Sequence, residues 1–120
     1  MKRYEVRWTE TARTLWREIQ DRRLRAGLLD LSARLETSPE TQGRPLRGEL
    51  SGYWSLHWSR WRLVYSIDDN SRRVWVCYVG LRAEGKPKDV YRVARKLLGL
   101  GLLAPLREEA DPPDDDLPGD

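Results

Sequence analysis

The chain is short of several things. In 120 residues it has one Cys, one His and no Phe. It has no apolar run of about 18 residues, so no membrane-crossing helix is expected. Its opening residues, Met1 to Thr11, are charged and lack the apolar stretch of a secretory signal. A cytoplasmic location is the expectation. The lone Cys77 agrees with it, because one cysteine cannot close an internal disulfide. Cys77 also falls inside an apolar strand pattern, 74–79, where it reads as a small buried hydrophobe rather than a nucleophile. Internal repeats are absent. The length fits one domain, large enough to bury a core.

Charge is present in both signs but unevenly placed. The formal net charge is +3, yet residues 107–120 hold seven acids and one Arg, a local charge of −6. Residues 1–106 therefore carry 21 basic and 12 acidic groups, or +9. A body of that charge attracts polyanions such as RNA, although solubility alone explains it equally well. From Pro105 onward the chain is mostly Pro, Asp and Glu and has little to bury. The expected division is a folded domain over 1–104 and a disordered acidic tail over 105–120.

Periodicity gives the elements. Arg3 to Trp8 alternates as a first strand. Thr9 suits a helix N-cap, and Ala12, Leu15, Trp16 and Ile19 share one helix face. Leu24, Leu28, Leu31 and Leu35 continue at helical spacing, with a hairpin seam near Asp21–Arg25 and a stop at Pro39. Residues 38–52, rich in Gly and Pro, read as loop. Strands are expected at 53–59, 61–68 and 73–80, with turns at Ser59-Arg60 and Asp68–Ser71. A final helix is expected over Lys88 to Leu98. The order β-α-α-β-β-β-α implies an α+β fold: a small antiparallel sheet of about four strands, an N-terminal helical hairpin and a C-terminal helix, with helices on one face and the other left for binding.

Alternation also sorts the side chains. Trp54, Leu56 and Trp58 take one face of their strand, and Ser55 and His57 the other. In the next strand Trp61, Leu63, Tyr65 and Ile67 are the apolar set, leaving Arg62 opposite. Trp54, Trp58, Trp61 and Trp75 read as core or rim rather than as base-stacking platforms. If Ser59-Arg60 is a two-residue turn, His57 lies directly across from Arg62. His57, Arg62, Arg82 and Tyr91 then form a set suited to holding phosphate and moving protons. Arg offers a planar, always-charged fork to phosphate oxygens. His titrates near neutrality. A Tyr hydroxyl can act as base where neighbouring cations favour its anion.

Several short motifs occur in order: Trp8-Thr9 with Ala12, Pro45-Leu46-Arg47-Gly48, Gly52-Tyr53-Trp54, Trp61-Arg62-Leu63-Val64-Tyr65, Val79-Gly80-Leu81-Arg82, and Asp89-Val90-Tyr91. No one of them is specific, but the ordered set over residues 3–98 resembles the RelE/ParE superfamily of toxins from type II toxin–antitoxin systems. The resemblance is closer to its RelE-like mRNA interferases. It implies a ribosome-dependent mRNA endoribonuclease in which the ribose 2′-OH attacks the adjacent phosphate, without metal or cofactor. It further implies a cognate antitoxin in a toxin–antitoxin hetero-oligomer, with ribosome and mRNA as the other partners and no membrane. Arg62, Arg82 and Tyr91 match family active-site positions. The family's basic pair falls on Ser55 and His57, a departure in which His57 would substitute as acid or base. The resemblance assigns RNA or ribosome contact to Arg47, Ser55, Arg60, Lys86, Lys88, Arg92, Arg95 and Lys96. Two alternatives stand beside it: a ParE-like inhibitor of DNA gyrase that cuts no RNA, and an inactive toxin-derived binding domain.

Overall fold

A computed structural model describes residues 3–105. Strand β1 (Glu5–Trp8) leads into helix α1 (Glu10–Glu18), then α2 (Arg22–Ala33), a 3-10 turn at Arg34–Glu36, and a short helix α3 (Pro39–Gln42). Strands β2 (Arg44–Pro45), β3 (Tyr53–Trp58), β4 (Trp61–Asp68) and β5 (Arg73–Leu81) follow, and α4 (Val90–Gly99) closes the fold. The α+β class and the order of the main elements agree with the sequence. The expected acidic tail lies almost wholly outside the described residues.

Local chemistry explains the helix starts. The Thr9 hydroxyl accepts the Ala12 N–H at 3.1 Å, and the Asp21 carboxylate accepts from Arg23 and Leu24. Both side chains satisfy amides that a first helical turn leaves without partners. The second helix does not run to the stop expected at Pro39: α2 ends at Ala33 and the 3-10 turn at Glu36. Pro39 begins a new helix instead. It occupies the first turn of α3, where its missing N–H costs nothing.

The sheet has five strands in the order β1-β5-β4-β3-β2. The fifth is the two-residue β2, which pairs with β3 so that Arg44 lies beside Ser55. The β1–β5 pair is parallel, while the other pairs are antiparallel. A parallel neighbour is possible because α1, α2 and all of β2–β4 intervene, giving the chain room to cross over.

Helices cover both faces, so the expectation of one open face is corrected. On one side Trp8, Leu28, Leu31, Leu35, Leu56, Leu63, Tyr65, Val74 and Val76 form the core beneath α1 and α2. On the other, Val64, Trp75, Cys77, Tyr78 and Leu50 pack with Val90 and Ala94 of α4 and with Leu103. The helical face expected of α1 is split accordingly: Ala12, Trp16 and Ile19 join the first core, and Leu15 the second. A bulge in β5 adds Tyr78 to the second core. Tyr65 pairs with Val76 and Val64 with Tyr78, so Cys77 is an extra residue. Cys77 and Tyr78 thus turn to the same side, and alternation resumes at Val79. Cys77 is fully buried, as the sequence implied.

Candidate active site

The β3–β4 hairpin sets the first half of the site. Its turn has two residues, with Ser59 at φ 55°, and pairs Trp58 with Trp61 and His57 with Arg62. The predicted register is therefore the observed one. Helix α4 supplies the second half. Gly80, across from Arg62 in β5, lies against its first residue: a Cβ there would stand 3.2 Å from Val90 Cγ2 and 3.0 Å from the Tyr78 ring. The missing side chain lets the start of α4 approach the sheet closely, which carries Tyr91 over β3.

Tyr91 then joins the two halves. Its hydroxyl lies 2.8 Å from Ser55 Oγ and 3.4 Å from His57 Nε2. The Arg82 guanidinium stands over its ring at 4.8 Å from the centroid, a cation–π contact. Asp89 holds Arg82 in turn, Oδ2 to Nη1 at 2.6 Å. The same carboxylate accepts the Ala83 amide at 2.7 Å and the Tyr91 amide at 3.2 Å. Asp89 is thus both the N-cap of α4 and the anchor of Arg82. Burial alone would push its carboxyl up; the Ala83 amide and the Arg82 guanidinium outweigh that and hold it below the usual carboxylate range.

His57 titrates below its ordinary value. Partial burial of the ring comes first, followed by the charges of Arg62, Arg44 and Arg82. It is therefore neutral at pH 7 and able to accept a proton.

Each expected site residue has a definite place. The side chains of His57, Tyr91 and Arg82 come together, and Arg62 lies beside His57 in the register of the hairpin. Arg62, however, folds back on its hairpin, and Nη1 donates to the carbonyls of Ser59 at 2.8 Å and Trp61 at 2.9 Å. Its Nε is buried without a hydrogen-bond partner among the described residues. Ser55 is fully buried, so it cannot itself meet an RNA backbone; its hydroxyl is spent on Tyr91. Lys86, Arg92 and Arg95 line a cleft of about 270 Å³ with Arg82, Asp89 and Tyr91. Arg95 also pairs loosely with Glu49 at 3.8 Å. Arg47, Arg60, Lys88 and Lys96 are exposed but do not line this cleft. A larger hollow of about 460 Å³ lies elsewhere, beside Tyr4, Trp54 and Asp69. Sequence reasoning gave no role to Asp89 or Arg44. Asp89 was visible as a capping type before a helix; Arg44 gave no signal, because a two-residue strand shows no alternation.

Comparison with known proteins settles the family. The family profile described as the ParE toxin of type II toxin–antitoxin systems, parDE, matches residues 6–85. The chain belongs to the RelE/ParE family of type II toxins. Toxin RelG of Mycobacterium tuberculosis is 37% identical to this toxin over 89 residues, which is 74% of this chain and 97% of RelG. The toxin–antitoxin complex RelBE2 of the same organism contains a chain with 35% identity and a TM-score of 0.64, covering 70% of this toxin and 97% of that chain. The isolated Escherichia coli RelE toxin has 28% identity and a TM-score of 0.58, covering 79% of this toxin and 98% of RelE. Among the described residues, no helix of this toxin is long and apolar enough to cross a membrane.

Proposed function

We propose that this toxin is a ribosome-dependent mRNA endoribonuclease that works with protein groups alone. The observation that carries the reading is the Tyr91 hydroxyl within reach of neutral His57, with the Arg82 guanidinium fixed over the Tyr91 ring. Strand scission by an internal nucleophile needs a base for the 2′-OH and cations for the charge that builds on phosphate. In the proposed step the 2′-OH gives its proton to the Tyr91 oxygen while Tyr91 passes its own to His57 Nε2. The O2′–P bond forms and the P–O5′ bond breaks. The 5′ oxygen takes a proton from solvent, and His57 later releases its proton to solvent, which restores the resting site. The product is a 2′,3′-cyclic phosphate. Arg82 offers its fork to the phosphate, and Lys86, Arg92 and Arg95 hold the flanking backbone. Arg62 joins them by releasing the hairpin carbonyls it binds at rest.

A cognate antitoxin belongs to the same reading. The complex that RelBE2 forms and the +9 charge of residues 1–106 support an acidic, partly disordered partner. Co-purification with the product of the adjacent reading frame tests it; an isolated gene, harmless when expressed alone, argues against it. A second reading, gyrase inhibition by binding, is favoured by the ParE profile and by Ser55 standing where RelE-like toxins carry a basic residue. Pulse labelling after induction separates the two. Translation stopping before replication supports the nuclease; replication stopping first supports the gyrase inhibitor.

A further inference from the structure

A fully buried serine in the middle of a sheet needs a reason. Ser55 sits in β3 between Arg44 of β2 and Val64 of β4, with no exposed surface. A buried hydroxyl costs free energy unless it is bonded. Its bond goes to Tyr91, 36 residues later and on another element, at 2.8 Å. The same Tyr91 oxygen contacts His57 Nε2, at the longer distance of 3.4 Å. Distances of that kind shorten when substrate closes a site.

We infer that Ser55 is a positioning residue of this site, the inner end of a reversible hydrogen-bonded chain Ser55–Tyr91–His57. The inference rests on the nuclease reading for its kinetic part and on geometry alone for the rest. A phenol has one proton, so the chain has a direction. With His57 neutral and its proton on Nδ1, Nε2 accepts from Tyr91 and Ser55 donates to Tyr91. With His57 protonated, His57 donates to Tyr91 and Tyr91 donates to Ser55. An amphiprotic group at position 55 can bond Tyr91 in both states without help from solvent. Alanine serves neither, and a lysine would serve the first alone. The groups facing His57 are Arg62 of β4, Arg44 of β2, Arg82 beyond β5 and Tyr91 of α4. Ser55 does not touch His57, so any influence on it passes through Tyr91.

The sole histidine makes the test clean, because one imidazole resonance reports on His57 without assignment. The titration midpoint of that resonance is measured in wild type, Ser55→Ala, Tyr91→Phe and the double variant. The midpoint moves in Ser55→Ala, in the same direction as in Tyr91→Phe, and the double variant matches Tyr91→Phe. Ribosome-programmed mRNA cleavage gives the second readout. Ser55→Ala lowers kcat by roughly 3- to 10-fold, the effect of one lost hydrogen bond, with KM unchanged because the cleft cations are intact. Ser55→Thr, which keeps the hydroxyl, restores kcat. In the Tyr91→Phe background Ser55→Ala has no further effect. An unmoved His57 midpoint in Ser55→Ala overturns the inference, as does an additive double variant. A wild-type toxin that cuts no RNA defeats the nuclease reading instead, and the titration still decides the hydrogen-bonded chain.

Discussion

Replacing Asp89 with Ala removes three interactions at one point. Its carboxylate caps α4 through the Tyr91 amide, accepts the Ala83 amide at 2.7 Å and pairs with Arg82 at 2.6 Å. Loss of a helix cap costs about 1 kcal/mol. The Ala83 amide bond is worth about 1 kcal/mol. The Arg82 side chain keeps 31% of its exposure, so solvent limits the ion pair to about 0–1 kcal/mol. The expected loss is about 2–3 kcal/mol, a fall in Tm of roughly 10–20 °C for a domain of this size. Chemical denaturation of both chains measures it, with the slope unchanged if only the native state is affected. Asp89→Asn keeps one acceptor oxygen, enough for one of the two amides, and loses the charge, so it should cost less than Asp89→Ala. Because the native carboxyl titrates below its ordinary 3.8, the stability it contributes is present above that pH. It is lost as pH falls below 3.8 toward the depressed native value. A loss under about 0.5 kcal/mol for Asp89→Ala, or an advantage over Asn that persists at the lowest pH, refutes the assignment of Asp89 as cap and anchor.

Other outcomes follow from the same geometry. Gly43→Ala would place a Cβ 2.4 Å from the Ser55 carbonyl and 2.6 Å from the Tyr65 hydroxyl; it should cost about 1–3 kcal/mol by denaturation and raise the His57 titration midpoint by moving Arg44 away. His57→Gln should fold normally and flatten the acid limb of the pH–rate profile. That limb lies below pH 6.5 in the wild type, since His57 titrates below that value and must be neutral to act as base. Arg62→Ala should slow cleavage by about 100-fold or more, and full cleavage by this variant rules out a phosphate role for Arg62. Truncation after Leu106 removes a charge of −6 and should tighten RNA binding at low salt, with the gain fading toward about 1 M; equal binding makes the acidic segment a solubility device.

Much of the site was legible because hairpin geometry is local. A two-residue turn fixes register, so His57 had to face Arg62. The apolar stripe of Trp61, Leu63, Tyr65 and Ile67 likewise identified one core face. What escaped was non-local or too short to show a period. Arg44–Pro45 has no alternation to read, so the strand that brings Arg44 beside Ser55 looked like loop. The bulge at Cys77 breaks the period of β5 and turns Tyr78 toward α4. That second core filled the face expected to be open, and it buried Ser55 where a surface contact had been anticipated. Asp89 shows the remaining limit. A sequence can mark a cap, but it cannot show that the same carboxylate also holds an arginine seven residues earlier.

The decisive experiment on the nuclease activity incubates purified wild-type and Tyr91→Phe toxin with mRNA-programmed ribosomes. The wild type should cut mRNA in the ribosomal A site and leave a 2′,3′-cyclic phosphate, and Tyr91→Phe should lose most cleavage while it still binds ribosomes. Intact mRNA in both reactions, together with inhibition of DNA supercoiling by gyrase, would contradict the nuclease reading.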